Sequence, residues 1–284
     1  MECRPGVGPA LPVICALLSH YDEDPAWLRA TIKSCLKVGV KKLVAVDGAY
    51  KTFPGAQAAS PERAHKAILR ACNEFGIELI PCVPSHPWES EVEKRNFMFQ
   101  IGERHTTDQD WYFVIDADER VTGIDGELTL EGDVAWAQLV EPHGNQPIRC
   151  FFRAQRGLSV QHNHFTYLCG DQVLWGGPEE GEEAFACDSR VTIQHLSHKR
   201  PAKRRENKQA YYDHRDANRL EHLRCDWCGT YTPGRIPARW YKRDGEVRGF
   251  VVGCCPDCQP AAVEEGRKLY AELSGSERVS FSSF

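Results

Sequence analysis

Trp111-Tyr112-Phe113-Val114-Ile115-Asp116-Ala117-Asp118-Glu119 is an unbroken aromatic and β-branched run that stops at an acidic cluster. Such a run reads as a buried strand, and the carboxylates fall where that strand ends. In an open α/β sheet, ligands bind outside the carboxyl ends of the strands. Two carboxylates one residue apart at that place can share a divalent cation that neutralises a bound diphosphate. A nucleotide-using enzyme is the leading expectation. Taken alone, the same four residues also read as a solvated acidic turn, so the surrounding chain must decide.

Working outward, Val13-Ile14-Cys15-Ala16-Leu17-Leu18 is a second buried-strand run, and Asp24-Pro25 supplies an N-cap and a first-turn proline. Leu28, Ile32 and Leu36 recur along one helical face that Gly39 closes. Leu43-Val44-Ala45-Val46 is another strand, ending in Asp47-Gly48. Ser60-Pro61 then opens a helix with Ala64, Ile68, Ala71 and Phe75 inward and Gly76 as its stop. Residues 77–83 form a third strand, and a helix over 91–103 leads to the strand at Trp111. This order predicts an α/β fold with a mostly parallel central sheet covered on both faces. Right-handed crossovers bring Asp47 and Asp116 to one sheet edge, although Asp47-Gly48 alone also reads as a plain turn. From about Val134 the pattern turns strand-rich. Val191-Thr192-Ile193 reads as a short strand ending near His195, and a polar, basic helix follows over 199–221.

The 284 residues suffice for one large core, or one core and a small satellite. Hydrophobic residues make up 42% and charged residues 26%, within the range of ordinary globular proteins. A net charge of -5 argues against a chain dominated by nucleic-acid or membrane-surface binding. No apolar run is long enough to span a bilayer. Residues 1–12 carry Arg4 and prolines but no apolar signal core, so a cytoplasmic protein is expected. The 13 cysteines are an odd number; Cys15, Cys35, Cys72 and Cys82 fall in apolar patterns and read as small buried hydrophobes.

Taken in order, residues 13–20, Val46-Asp47-Gly48, Lys94-Arg95-Asn96, Asp116-Ala117-Asp118-Glu119 and Ile193-Gln194-His195 with its basic helix resemble a family-2-like glycosyltransferase of the GT-A fold. The resemblance covers about residues 12–221. It implies a metal-dependent enzyme that moves a sugar from a nucleotide-sugar donor to the hydroxyl of an unknown acceptor, be it protein, glycan or nucleic acid. Ser19 and Asp47 at the strand exits, with Arg95 and Asp116, would then bind the donor. Asp118, with Asp116, would hold Mn²⁺ or Mg²⁺, and His195 would complete the metal site as an imidazole ligand. Arg200, with Lys203, would add positive charge beside the leaving diphosphate. His198 rivals His195 for the ligand role, His195 also reads as a structural histidine, and the basic residues also read as a solvated helix face. Inverting members use an acceptor-side carboxylate as general base, and no clear motif marks one here. His164 in His162-Asn163-His164 and Glu183 in the acidic stretch 179–183 are candidates, as are Asp171, Glu179, Glu180 and Glu182. The stereochemical course stays open.

Two Cys-x-x-Cys knuckles, Cys225-Asp226-Trp227-Cys228 and Cys255-Pro256-Asp257-Cys258, follow in residues 222–284. Four thiolates in two such pairs suit a tetrahedral structural zinc, with Cys254 an adjacent substitute for Cys255. Ala238-Arg239-Trp240-Tyr241 and Gly249-Phe250-Val251-Val252 read as a hairpin around Asp244-Gly245. A GT-A-like domain over 1–221 with a zinc ribbon behind it is the expected organisation. Two other functions share these features. A nucleotidyltransferase would use the same sheet and metal, but Ser19-His20-Tyr21 stands where its glycine-rich phosphate loop belongs. A non-catalytic protein could bind nucleic acid or protein through its ribbon on a GT-A-like scaffold.

Overall fold

The computed structural model describes residues 12–142, 144–161, 166–170, 172–175 and 186–220, with short stretches at 236–239, 242–243, 246–247 and 251–254 and single residues 260 and 264. Its first half is built from the apolar runs. Strands β1 (Ile14–Ser19), β2 (Val40–Val46), β3 (Glu78–Cys82) and β4 (Trp111–Asp116) alternate with helices α1 (Pro25–Cys35), α2 (Glu62–Phe75) and α3 (Glu91–Glu103). Asp24 caps α1 by accepting from Ala26 N at 2.8 Å and Trp27 N at 3.3 Å. Gly76 ends α2 with φ 65°, a left-handed conformation open to glycine at little cost.

β5 (Glu119–Ile124), β6 (Val134–Glu141), β7 (Gly144–Arg153) and β11 (Cys187–His195) complete an eight-stranded sheet of order β3-β2-β1-β4-β7-β6-β11-β5. The pairs β3–β2, β2–β1, β1–β4 and β6–β11 are parallel, whereas β4–β7, β7–β6 and β11–β5 are antiparallel. The sheet is therefore mostly parallel, as the alternating order requires, and mixed where the sequence becomes strand-rich. Three strands separate β4 from β5 in the sheet, yet only Ala117 and Asp118 join them in the chain. The sheet must curl to satisfy both facts.

Period-2 alternation splits each inner strand between two cores. Ala16, Leu18, Leu43, Phe113 and Ile115 face Leu28 and Ile32 of α1 and Ala64 and Ile68 of α2. Cys15, Leu17, Val44, Tyr112 and Val114 face Met98 and Phe99 of α3, with Phe152 and Tyr167 behind. Burial of each large apolar side chain is worth about 1.5–3 kcal/mol, so both helical layers are tied to the same three strands, β1, β2 and β4. Cys15, Cys35 and Cys72 are buried free thiols, as their patterns predict, whereas Cys82 at the end of the edge strand β3 is only half-buried.

A three-stranded sheet, β8 (Leu158–Gln161), β9 (Thr166–Cys169) and β10 (Gln172–Trp175), packs Leu158, Val160 and Tyr167 against Met98 and Phe99 of α3, and one polar side chain adds to this. Asn96 Nδ2 donates to Val160 O at 3.0 Å, and Asn96 Oδ1 accepts from Val160 N at 2.6 Å. The amide thus imitates a neighbouring strand.

The chain forms two compact units, Met1–Asn207 and Lys208–Phe284, with the division inside α4 (Ala202–Leu220). In the second, β12 (Ile236–Arg239) pairs antiparallel with β15 (Val251–Cys254), and β13 (Lys242–Arg243) with β14 (Glu246–Val247). The register pairs Arg243 with Glu246 on either side of Asp244-Gly245, and the expected turn itself lies outside the described residues. Among the described residues no helix is long and apolar enough to cross a membrane.

Candidate functional site at the carboxyl edge of the parallel strands

From β1 the chain adds β2 and β3 on one side, then crosses to place β4 on the other. That reversal opens a crevice beyond the carboxyl ends of β1 and β4, the place where open α/β sheets bind ligands. Register pairs Ser19 with Asp116 on one side and with Val46 on the other. Ser19, Asp47 and Asp116 accordingly share one sheet edge, as right-handed crossovers demand.

The acidic turn after β4 sends its carboxylates in different directions. Asp116, 36% exposed at its side chain, accepts from Arg95 Nη2 at 3.1 and 3.0 Å through its two oxygens. Arg95 is buried and also grips Glu91 Oε1, from Nε at 3.3 Å and Nη2 at 3.1 Å. Burial works against the guanidinium, but Asp116, Tyr167 and Glu91 hold its pKa well above the usual value. Asp118 is almost fully buried, with Oδ2 3.2 Å from His195 Nε2 and 3.1 Å from Arg200 Nη1. Arg200 also donates to buried Glu23 through Nη2, and its Nε is buried without a partner. Arg204 donates to the same Glu23 oxygen at 3.1 Å.

Glu119 turns back to accept from Asp116 N at 2.8 Å. Burial and then the Asp116 charge raise its pKa to about 8. Arg120 donates to the carbonyls of Ala117 at 3.0 Å and Glu119 at 2.7 Å, and to Trp27 O on α1 at 2.8 Å. The turn is therefore nailed to α1 from behind.

His195 closes the site because the sheet curls. Its strand pairs with β5 so that His195 stands opposite Glu119, and with β6 so that Gln194 matches Val140. The imidazole then lies between two carboxylates, Asp118 at Nε2 and Glu141 Oε1 at 2.7 Å from Nδ1. Burial lowers its pKa, yet the hydrogen bond and charge of Asp118, with Glu141, push it up to about 9. His198, the rival for this position, sits in a short 3-10 turn, where its carbonyl accepts from Arg205 at 2.6 Å.

At the other strand exits the polar groups serve the protein. Asp47 is fully buried and accepts from Gly48 N (2.7 Å), Ser60 N (2.6 Å), Ser60 Oγ (2.5 Å) and His65 Nε2 (2.6 Å). Burial alone would raise its pKa; His20, Ser60 and His65 together hold it low. His20 Nδ1 lies 3.4 Å from Asp47 Oδ1, and burial drives the His20 pKa down to about 3 against the opposing charge of Asp47. Lys94 is buried between the two exits and donates from Nζ to His20 O and Gly48 O, both at 2.8 Å. Asp47 and Lys94 thus shape the crevice wall, while Asp116 is the carboxylate that faces solvent.

The structure brings together Ser19, Arg95, Asp116, Asp118, His195 and Arg200. Glu23 and Glu141 join them without having stood out in sequence, and Lys94 joins them from within the Lys94-Arg95-Asn96 motif. Glu141 ends β6 as an isolated carboxylate, and only its position at the end of an apolar strand could have marked it. His164 and Glu183, with Asp171 and Glu179, Glu180 and Glu182, lie outside the described residues, as do Cys225, Cys228, Cys255 and Cys258. Among the described residues no three His, Cys, Asp or Glu side chains form a ready-made metal group. Asp118 and His195 nonetheless fit a cation as a pair. With Nδ1 directed at Glu141, His195 Nε2 faces Asp118 Oδ2 at 3.2 Å, and Arg200 Nη1 lies 3.1 Å from that same oxygen. Asp116 is paired with Arg95 at 3.0 Å much as Asp118 is with Arg200 at 3.1 Å, so each carboxylate of the turn has its own arginine. No protein-family model matches the chain, and no curated protein matches it in sequence.

Proposed function

We propose that the chain is a metal-dependent glycosyltransferase of GT-A type that uses a nucleotide-sugar donor. One observation carries this reading: an Asp-x-Asp turn, a histidine and two buried arginines converge at the reversal of strand order between β1 and β4. That crevice is where the fold accepts a nucleotide. Asp118 and His195 would hold Mn²⁺ or Mg²⁺, which suit a carboxylate–imidazole pair joined by diphosphate oxygens. When bound, the metal supplies charge neutralisation at the leaving diphosphate.

The chain's own groups do the remaining work. Asp116, fixed through both oxygens by Arg95, offers a preorganised acceptor to the ribose side of the donor. Arg200, anchored on Glu23, keeps a guanidinium beside Asp118 where negative charge develops. His164 and Glu183 are the acceptor-side candidates for deprotonating the attacking hydroxyl. Cys225, Cys228, Cys255 and Cys258 hold a structural zinc, a reading supported by the antiparallel pairs that lie between the knuckles.

Thermal unfolding with a panel of nucleoside diphosphates tests this. A nucleoside diphosphate at a hundred times its dissociation constant should add about 2.7 kcal/mol, and only with Mn²⁺ or Mg²⁺ present. Asp118→Asn should remove the gain and leave a folded protein. Equal stabilisation of that variant, or stabilisation without metal, would reject the site.

A further inference from the structure

We infer that Glu141 is a positioning residue, which fixes the tautomer and orientation of His195 so that Nε2 is offered to the metal. The inference rests on the metal site proposed above and adds a residue to it. Glu141 closes β6, and the parallel register Gln194↔Val140 sets the next residue of β11, His195, beside it. Glu141 Oε1 lies 2.7 Å from His195 Nδ1. An ionised carboxylate only accepts, so Nδ1 carries the hydrogen of this bond. Nε2 is left for the opposite side, 3.2 Å from Asp118 Oδ2. Histidine ligands are commonly oriented in this way, their second nitrogen donating to a carboxylate outside the coordination sphere.

Glu141 is itself held. Gln146 Nε2 donates to its other oxygen at 3.1 Å from across the β6–β7 hairpin, whose register pairs Glu141 with Gly144 and Leu139 with Gln146. Its side chain is 32% exposed, so the ion pair with His195 is partly screened and adds little to stability. Directing the imidazole is the effect that survives screening, because it depends on which nitrogen carries hydrogen.

Titration with Mn²⁺ alone, following the free-ion electron paramagnetic resonance signal, separates the alternatives. Glu141→Ala should weaken Mn²⁺ binding about 10–100-fold. Glu141→Gln, whose amide oxygen still accepts from Nδ1–H, should bind close to the native level. Native binding with no loss in Glu141→Ala would overturn the positioning role and leave the metal site standing. Equal losses in both variants would overturn it as well, since charge and not tautomer would then be at work. A native protein that binds no Mn²⁺ would overturn the metal site and this role together. Should Glu141→Ala fail to fold, imidazole ¹⁵N shifts of the native chain with Mg²⁺ decide the point. Hydrogen on Nδ1 with none on Nε2 supports the role, and hydrogen on Nε2 overturns it.

Discussion

Lys94 is a buried amine that faces two carbonyls and, among the described residues, makes no direct ion pair. Burial lowers its pKa from 10.5 to about 7, with Asp47 and then Asp116 opposing the shift. The pH dependence follows from this direction. Between about pH 7 and 10.5 the unfolded chain holds the Lys94 proton more tightly than the folded one, so folding becomes more favourable as pH rises. The penalty for burying the charge is complete below about pH 7. Lys94→Met removes that penalty but strands the carbonyls of His20 and Gly48, at about 1–3 kcal/mol each. Denaturant unfolding of both proteins should therefore show the native chain gaining on Lys94→Met by about 1–3 kcal/mol between pH 7 and pH 10. A gap that stays constant with pH would mean that Lys94 stays charged when folded. Sequence exposes this residue only as part of Lys94-Arg95-Asn96. Nothing in helical periodicity says that a lysine here is buried, because its partners are backbone oxygens from two other elements.

At the scale of elements, α3 does two jobs from adjacent residues. Arg95 grips the acidic turn after β4, and Asn96 clips β8 by pairing with both backbone groups of Val160. Asn96→Leu keeps the approximate volume but leaves a buried N–H and C=O without partners. It should lower stability by about 2–4 kcal/mol, and denaturant unfolding would check this. A loss below about 0.5 kcal/mol would show that the three-stranded sheet is held by other contacts. The Arg-Asn pair was visible in sequence, whereas the destination of the asparagine was not, since β8 lies 64 residues onward. Asp47-Gly48 shows the same division. The dipeptide reads as a turn, and Gly48 does adopt φ 102°, with a Cβ there meeting Ala58 O at 2.7 Å. The burial of Asp47 depends on Ser60 and His65, which only the packing of α2 brings to it.

For the whole molecule, legibility follows the apolar runs. Continuous runs gave β1, β2 and β4 because strands buried on both faces carry no polar alternation. The curl that unites β4 with β11 is not periodic, so the pairing of Asp118 with His195 could be expected only from a resemblance and Glu141 not at all. Division into Met1–Asn207 and Lys208–Phe284 leads to a last prediction. The strands described in the second unit are only two to four residues long. If the four cysteines hold zinc as proposed, the segment would draw folding free energy from metal binding. Elemental analysis should give one zinc per chain, and replacing Cys225 or Cys258 by serine should abolish it. Chelation should then expose the second unit to limited proteolysis. After the chelator is removed, the Mn²⁺-dependent stabilisation by nucleoside diphosphates should persist, since every residue assigned to that crevice precedes Asn207. Loss of both effects together would mean that the two units fold as one. A zinc-free protein with unchanged protease resistance would remove the ribbon and leave the four cysteines as ordinary thiols.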